Sequence, residues 1–82
     1  MSTVTLYSRP GCHLCDEARE ALARVRRRAP FALEEVDITA DEQLHMRYLE
    51  RIPVVALAGE ELFDYYVDEE VLLERLDYLE RR

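Results

Sequence analysis

Two cysteines are the residues of this sequence whose type and spacing most directly indicate chemistry. They are Cys12 and Cys15, the chain has no others, and only His13 and Leu14 separate them. A disulfide across so short a loop constrains the unfolded chain little, so it makes a poor structural staple. The spacing therefore predicts a redox-active pair that works in a reducing cytoplasm.

The position of the pair predicts a different role for each cysteine. A short β-branched run ends in the turn Arg9-Pro10-Gly11, and a helical pattern begins at Cys12. The free N–H groups and the dipole of a helix N-terminus favour a thiolate, and such sites lower the pKa of a cysteine from about 8.5 to about 3.5–7.5. Cys12 is therefore predicted to attack the substrate disulfide. Cys15 lies one turn further along and is more shielded, so it is predicted to resolve the mixed disulfide that forms.

Two neighbours of the pair are candidates for substrate contacts. Arg9 lies three positions before Cys12 and can pair with a carboxylate of a thiol substrate, or it simply belongs to the turn. His13 can add positive charge beside Cys12 when it is protonated, or it is an exposed polar residue of the first helical turn. The sequence leaves both alternatives open for both residues.

A metal-binding alternative uses the same cysteines. A zinc ion needs four ligands, and the chain offers two cysteines, His13 and His45. His13 is adjacent to Cys12 and poorly placed for the same ion, so we expect no metal site within one chain. Two chains that share a metal ion or an iron–sulfur cluster remain an alternative.

Charge and length limit the possible functions. The 82 residues include 18 acidic and 11 basic side chains, for a formal net charge of −7. This balance repels phosphate backbones, so we expect no nucleic-acid partner. No apolar run approaches the roughly 18 residues of a membrane span, and residues 1–7 lack the pattern of a leader. We expect one domain over residues 1–82 and no membrane partner.

The first half of the chain predicts a strand, a helix and a second strand. Thr3 to Ser8 is β-branched and bounded by a turn, which indicates a buried strand. The helix from Cys12 has apolar residues at three- and four-residue spacings and stops before Pro30. Its apolar stripe consists of Leu14, Ala18, Ala21, Leu22 and Val25. Phe31 to Ile38 is the second strand, with buried positions expected at Leu33, Val36 and Ile38.

The next segment predicts a helix that begins with a capping box. In Thr39-Ala40-Asp41-Glu42, Thr39 is the expected N-cap and Glu42 reaches back to it. The helix ends before Pro53, because the residue before a proline avoids helical geometry. Its expected apolar face consists of Leu44, Tyr48 and Leu49.

The last part of the chain predicts a hairpin and a final helix. Val54 to Ala58 and Glu61 to Tyr66 are two antiparallel strands around a Gly59-Glu60 turn. Asp68 is expected to cap a helix that ends at Arg81-Arg82. The leucines expected to face inward are Leu72, Leu73, Leu76 and Leu79. The order βαβαββα predicts an α/β fold with a mixed four-stranded sheet and helices on both faces.

Together these residues resemble the glutaredoxin-like branch of the thioredoxin superfamily. The matching stretches are Leu6 to Cys15, Val36 to Ile38, Arg51 to Val55, and Gly59. The resemblance implies a thioredoxin-like fold and a cis Pro53 that faces the disulfide. It implies that the Ile52 backbone pairs with a bound thiol substrate as an added strand. It also places Arg9 where a basic residue meets glutathione, and Arg51 is a second candidate for that carboxylate.

The departures from the family concern glutathione. Glutaredoxins usually have proline and an aromatic residue where this chain has His13 and Leu14. They also carry a Gly-Gly pair whose backbone cradles the γ-glutamyl end of glutathione. Residues 63–68 stand in that region and contain no glycine. Phe63 adds bulk and Asp64 adds negative charge where the carboxylate would sit, so we expect weak glutathione binding.

The residues and the resemblance together predict a thiol–disulfide oxidoreductase that acts on protein disulfides or glutathione mixed disulfides. The reaction needs an external reductant. We expect a monomer without a bound cofactor or metal, and glutathione is a candidate co-substrate. One alternative is a non-enzymatic redox-sensing, metal-binding or iron–sulfur-binding module that uses the same cysteines. Another is an interaction domain with unreactive cysteines.

Overall fold

The computed structural model describes residues 2–81 and has the predicted element order βαβαββα. The strands are β1 (Thr3–Ser8), β2 (Ala32–Asp37), β3 (Val54–Leu57) and β4 (Glu60–Asp64). The helices are α1 (His13–Arg28), α2 (Glu42–Tyr48) and α3 (Glu69–Glu80), with a 3₁₀ turn over Ile38–Ala40. Arg82, expected at the end of α3, lies outside the described residues, as does Met1. None of the helices described combines the length and the apolar character needed to cross a bilayer.

The four strands form one mixed sheet in the order β2-β1-β3-β4. β1 is parallel to β2, with α1 as the crossover between them, and antiparallel to β3, which forms a hairpin with β4. Leu6 of β1 lies opposite Glu35 of β2 and Val55 of β3. This topology confirms the predicted α/β fold class. It also places the loop that carries Cys12 at the end of a central strand.

The helices cover both faces of the sheet, as predicted. On one face, α1 and α3 bury a core that consists of Val4, Leu6, Ala18, Leu22, Val25, Phe31, Val55, Leu57, Leu72 and Leu76. On the other face, α2 covers a smaller core that consists of Cys12, Cys15, Ile38, Tyr48, Ile52 and Val54. We call this second group the disulfide core. The cysteine pair is therefore embedded in hydrophobic packing on its inner side.

Five positions before β3 that the sequence pattern predicts to be buried are exposed or only partly buried. They are Leu14, Leu33, Val36, Leu44 and Leu49. Leu14 is exposed and borders a surface pocket beside Tyr65, whereas Cys15 in the same turn is buried. Leu33 and Val36 are only half-buried because β2 is an edge strand. Leu49 is exposed because α2 ends one residue earlier, at Tyr48.

The predicted capping box of α2 is wrong. Asp37 accepts hydrogen bonds from the Thr39 N–H at 2.8 Å and from the Thr39 hydroxyl at 2.6 Å, which closes the 3₁₀ turn. Thr39 is therefore engaged before the helix begins. Asp41 caps α2 instead and accepts from the N–H groups of Gln43 and Leu44 at 2.8 and 3.3 Å.

The C-terminal part of the chain confirms the hairpin and the last helix with small shifts. The hairpin turn lies at Ala58 and Gly59, with φ of 51° and 87°, one residue earlier than predicted. The Asp68 carboxylate accepts from the Val71 N–H at 3.2 Å and caps α3 as predicted. Of the four inward-facing leucines, Leu72 and Leu76 are buried, and Leu73 and Leu79 are partly buried against the same core.

Candidate active site

The loop between β1 and α1 places Cys12 at the N-terminus of the helix. Gly11 has a φ of 75°, a left-handed conformation that glycine adopts without steric cost, and turns the chain towards α1. Cys12 follows as the N-cap, with extended backbone angles (φ −89°, ψ 112°). Its Sγ accepts a hydrogen bond from the Cys15 N–H at 3.2 Å. A sulfur therefore takes the place of the oxygen that usually caps a helix.

The two cysteines are joined by a disulfide but differ in exposure. Their Cα atoms are 5.1 Å apart. Cys12 is 9% exposed, whereas Cys15 is fully buried. Asp16, in the first turn, would disfavour a nearby thiolate, but its carboxylate is paired with Arg19 at 2.7 Å. Cys12 is therefore the cysteine that a substrate can reach.

Arg9 and His13 lie on either side of Cys12 in the chain, and both are exposed. Within residues 2–81, no hydrogen bond or ion pair joins either side chain to another residue. Arg9 borders a shallow cleft of about 140 Å³ together with Ser8 and Pro10. Its guanidinium is thus an unpaired positive charge three residues before Cys12.

Ile52 and Pro53 are buried, and the peptide bond between them is cis. Ile52 belongs to the disulfide core. Its N–H donates to the Tyr48 carbonyl at 3.1 Å. The Ile52 N–H is therefore already bonded to the end of α2.

A polar network leads from the disulfide core to β4. Tyr48 stacks on Tyr7 with ring centroids 4.4 Å apart, and its hydroxyl donates to the Glu61 carboxylate at 2.8 Å. Burial, and then this hydrogen bond, raises the pKa of Tyr48 to about 12. Arg51 donates to Glu61 at 2.5 Å and to the two Asp64 oxygens at 3.1 Å each. The Arg51 guanidinium, and after it the Tyr48 hydroxyl, holds the pKa of the Glu61 carboxyl below its usual range.

This network changes two expectations about glutathione. Arg51 is a sequence candidate for a substrate carboxylate, but its guanidinium is already paired with Asp64 and Glu61. Asp64 is expected to repel the γ-glutamyl carboxylate, but Arg51 offsets its charge. Each of these two charges has a partner within the protein, so a ligand carboxylate would compete with Asp64 and Glu61 for Arg51.

Tyr65 was predicted to lie in the last strand, but β4 ends at Asp64, and Tyr65 forms a turn whose contacts sequence reasoning missed. Its backbone has a φ of 69°, which is rare for an aromatic residue and costs roughly 1–3 kcal/mol. Its N–H donates to the Pro53 carbonyl at 2.8 Å, and its hydroxyl donates to the Glu50 carbonyl. Tyrosine carries no turn signal in a sequence. The only available hint was that glutaredoxins have glycines in this part of the chain.

No three His, Cys, Asp or Glu side chains in the described range are grouped as ligands for one metal ion. His13 lies beside the cysteines in the chain but is exposed, and His45 is on α2.

Comparison with known proteins identifies the family. The family model of the Glutaredoxin-like domain (DUF836) matches residues 3–77. The chain belongs to this glutaredoxin-like family. Protein Ne2328 from Nitrosomonas europaea has 32% sequence identity to this chain, and its structure matches with a TM-score of 0.79. The match covers 90% of this chain and 89% of that one. Protein XcR50 from X. campestris is 42% identical, with a TM-score of 0.74 and coverage of 92% and 96%.

A more distant match places this glutaredoxin-like protein in the thioredoxin fold. A thioredoxin variant from Halobacterium salinarum has a TM-score of 0.66 at 17% identity, over 94% of this chain and 73% of that one. At this identity the match shows the fold alone. Together with the family and the Cys12–Cys15 pair at the start of α1, it supports a redox-type function.

The Glu61 network predicts a pH dependence of stability. Because folding lowers the pKa of Glu61, its contribution is present above the unfolded value of about 4.3 and is lost as the pH falls through the folded value. Wild type should therefore lose more stability between pH about 5 and 3 than Glu61→Gln does. Urea unfolding followed by circular dichroism measures this loss.

Glu74→Gln is the matched control, because Glu74 is exposed on α3 and forms no ion pair within residues 2–81. It should follow the wild-type pH dependence. The same acid sensitivity in Glu61→Gln as in wild type would contradict the assigned role of Glu61.

Proposed function

We propose that this glutaredoxin-like protein is a thiol–disulfide oxidoreductase in which Cys12 attacks and Cys15 resolves. The observation that carries the proposal is the Cys15 N–H that donates to the Cys12 sulfur at the N-terminus of α1. In the reduced protein, the same amide stabilises a Cys12 thiolate, because hydrogen bonds to charged acceptors are roughly twice as strong as neutral ones. The greater exposure of Cys12 supports the same order of attack.

The proposed reaction consists of two thiol–disulfide exchanges. The Cys12 thiolate attacks one sulfur of a substrate disulfide, which forms a Cys12–substrate disulfide and releases the other sulfur as a thiolate that takes up a proton. Cys15 then loses its proton and attacks the Cys12 sulfur, which forms the Cys12–Cys15 disulfide and releases the second substrate thiol. An external thiol reductant restores the dithiol by supplying two electrons and two protons.

The proposed substrates are proteins with an accessible disulfide, or glutathione mixed disulfides. An extended substrate segment pairs with the Ile52 carbonyl beside Pro53 as an added strand, and Arg9 and His13 contact the substrate near Cys12. A reducing cytoplasm supplies the thiol reductant that this cycle requires. The protein works as a monomer in this scheme, since one chain carries both cysteines.

Trapping of the mixed disulfide tests the assigned roles. Cys15→Ser should accumulate a covalent adduct with a disulfide substrate through Cys12, because the resolving thiol is absent. Non-reducing electrophoresis and mass spectrometry of the adduct measure this accumulation. Cys12→Ser is the matched control and should trap far less. Equal or greater trapping by Cys12→Ser would show that the roles are reversed.

Glutathione is proposed to be a weak ligand and not the preferred partner. The γ-glutamyl carboxylate of glutathione needs backbone N–H groups in a turn without bulky side chains. Phe63 and Tyr65 stand in that region here, and the Tyr65 N–H is already bonded to Pro53. Arg51 is held by two carboxylates, which leaves Arg9 as the unpaired arginine next to the site.

A glutathione titration of the reduced protein, followed by NMR, tests this proposal. Chemical shifts should change only weakly and without saturation in the low millimolar range, because the γ-glutamyl end lacks its donors. A glutaredoxin with the Gly-Gly pair serves as positive control in the same titration. Saturable sub-millimolar binding centred on residues 62–68 would contradict the proposal and assign the protein a glutathione site.

A further inference from the structure

The segment between α2 and β3, residues 49–53, lies next to the cysteine pair. Ile52, in this segment, shares the disulfide core with Cys12 and Cys15. Arg51 and Ile52 both donate their backbone N–H groups to the Tyr48 carbonyl, at 2.8 and 3.1 Å, which holds the segment to α2. The placement of this segment relative to Cys12 decides how a substrate backbone meets the reacting sulfur.

Tyr65, the residue directly after β4, holds the same segment through two hydrogen bonds. Its N–H donates to the Pro53 carbonyl at 2.8 Å, and its hydroxyl donates to the Glu50 carbonyl. These two acceptors flank Arg51 and Ile52 in the chain. We call this pair of contacts the Tyr65 clamp.

The residue before Tyr65 reinforces the clamp. The Asp64 carboxylate accepts from the Arg51 guanidinium in two hydrogen bonds of 3.1 Å. Residues 64 and 65 therefore contact residues 50, 51 and 53. These contacts flank Ile52, the residue whose backbone is proposed to pair with the substrate.

Tyr65 makes these contacts from an unfavourable backbone conformation. Its φ of 69° lies in the left-handed region, where glycine is unstrained and a bulky residue is an outlier. A turn selected for stability alone would favour glycine or asparagine at this position. Strained residues are maintained by the contacts around them and cluster at functional sites. The strain at Tyr65 therefore points to a role for its side chain.

We infer that Tyr65 is a positioning residue for thiol–disulfide exchange. Its hydroxyl, through Glu50, holds the Ile52–Pro53 backbone where an extended substrate segment meets Cys12. Tyr65 lies outside the disulfide core, so it acts through the segment and not on the sulfurs. This inference rests on the proposed function and adds a determinant of how the substrate is placed.

The test compares Tyr65→Phe with Tyr66→Phe in the full chain. Tyr65→Phe removes only the hydroxyl that donates to Glu50. Tyr66→Phe removes an exposed hydroxyl that bonds no residue in the described part of the chain. With a peptide disulfide as substrate, kcat/KM of Tyr65→Phe should fall about two- to tenfold, the effect of one hydrogen bond. Tyr66→Phe should match wild type.

Three readouts separate positioning from stability. The rate at which iodoacetamide alkylates Cys12 should be the same in wild type and Tyr65→Phe, because a small reagent does not use the segment. Exchange of the Ile52 amide hydrogen should be faster in Tyr65→Phe than in wild type or Tyr66→Phe. Tyr65→Gly, which relieves the backbone strain, should unfold at the same or a higher urea concentration and still have a lower kcat/KM.

An unchanged kcat/KM or an unchanged Ile52 exchange rate in Tyr65→Phe would overturn the inference. A drop in kcat/KM of Tyr65→Gly that merely followed a loss of stability would overturn it as well. If wild type itself does not turn over the peptide disulfide, the proposed function fails. The Ile52 exchange rate then decides whether the clamp exists.

Discussion

The proposed chemistry of this protein depends on one hydrogen bond, which runs from the Cys15 N–H to the Cys12 sulfur at 3.2 Å. The bond joins the residue before α1 to the first turn of the helix, so it forms only if the helix begins at this position. A sulfur here also meets the positive end of the helix dipole. The same geometry gives the two cysteines different surroundings. The Cys12 sulfur accepts the hydrogen bond and is slightly exposed, whereas Cys15 is fully buried.

The rest of the fold fixes where α1 begins. Ala18, Leu22 and Val25 of the helix are buried against the sheet on one face, and Cys15 is buried in the disulfide core on the other. Arg19 adds polar contacts, because it pairs with Asp16 in the first turn and donates to Glu35 of β2 at 2.9 Å, which also accepts from the Ser8 hydroxyl at 3.0 Å. Exposed ion pairs of this kind contribute about 0–1 kcal/mol each, so the buried packing dominates.

Most of the fold could be predicted from local sequence patterns, each of which lies within a single helix, strand or turn. β1, α1 and the Asp68 cap follow from β-branched, periodic and capping patterns, and the cysteine spacing alone located the candidate site. The predicted N-cap of α2 was wrong because Asp37 and Asp41 lie on either side of Thr39. Asp37 binds Thr39 and Asp41 caps the helix, and the sequence does not show which of these residues takes which role. The Arg51–Asp64 pair and the Tyr65 contacts join residues 12 to 15 positions apart in the chain, so only the packed chain reveals them.

The central claim is that the start of α1 stabilises a thiolate on Cys12. Its most direct test is the pH dependence of iodoacetamide alkylation in the reduced protein, with mass spectrometry to resolve the two cysteines. We predict that the Cys12 rate reaches half its plateau at a lower pH than that of a cysteine in an unstructured peptide, and that Cys15 reacts much more slowly. A Cys12 profile identical to that of the peptide cysteine, or equal slow rates at both positions, would contradict the claim.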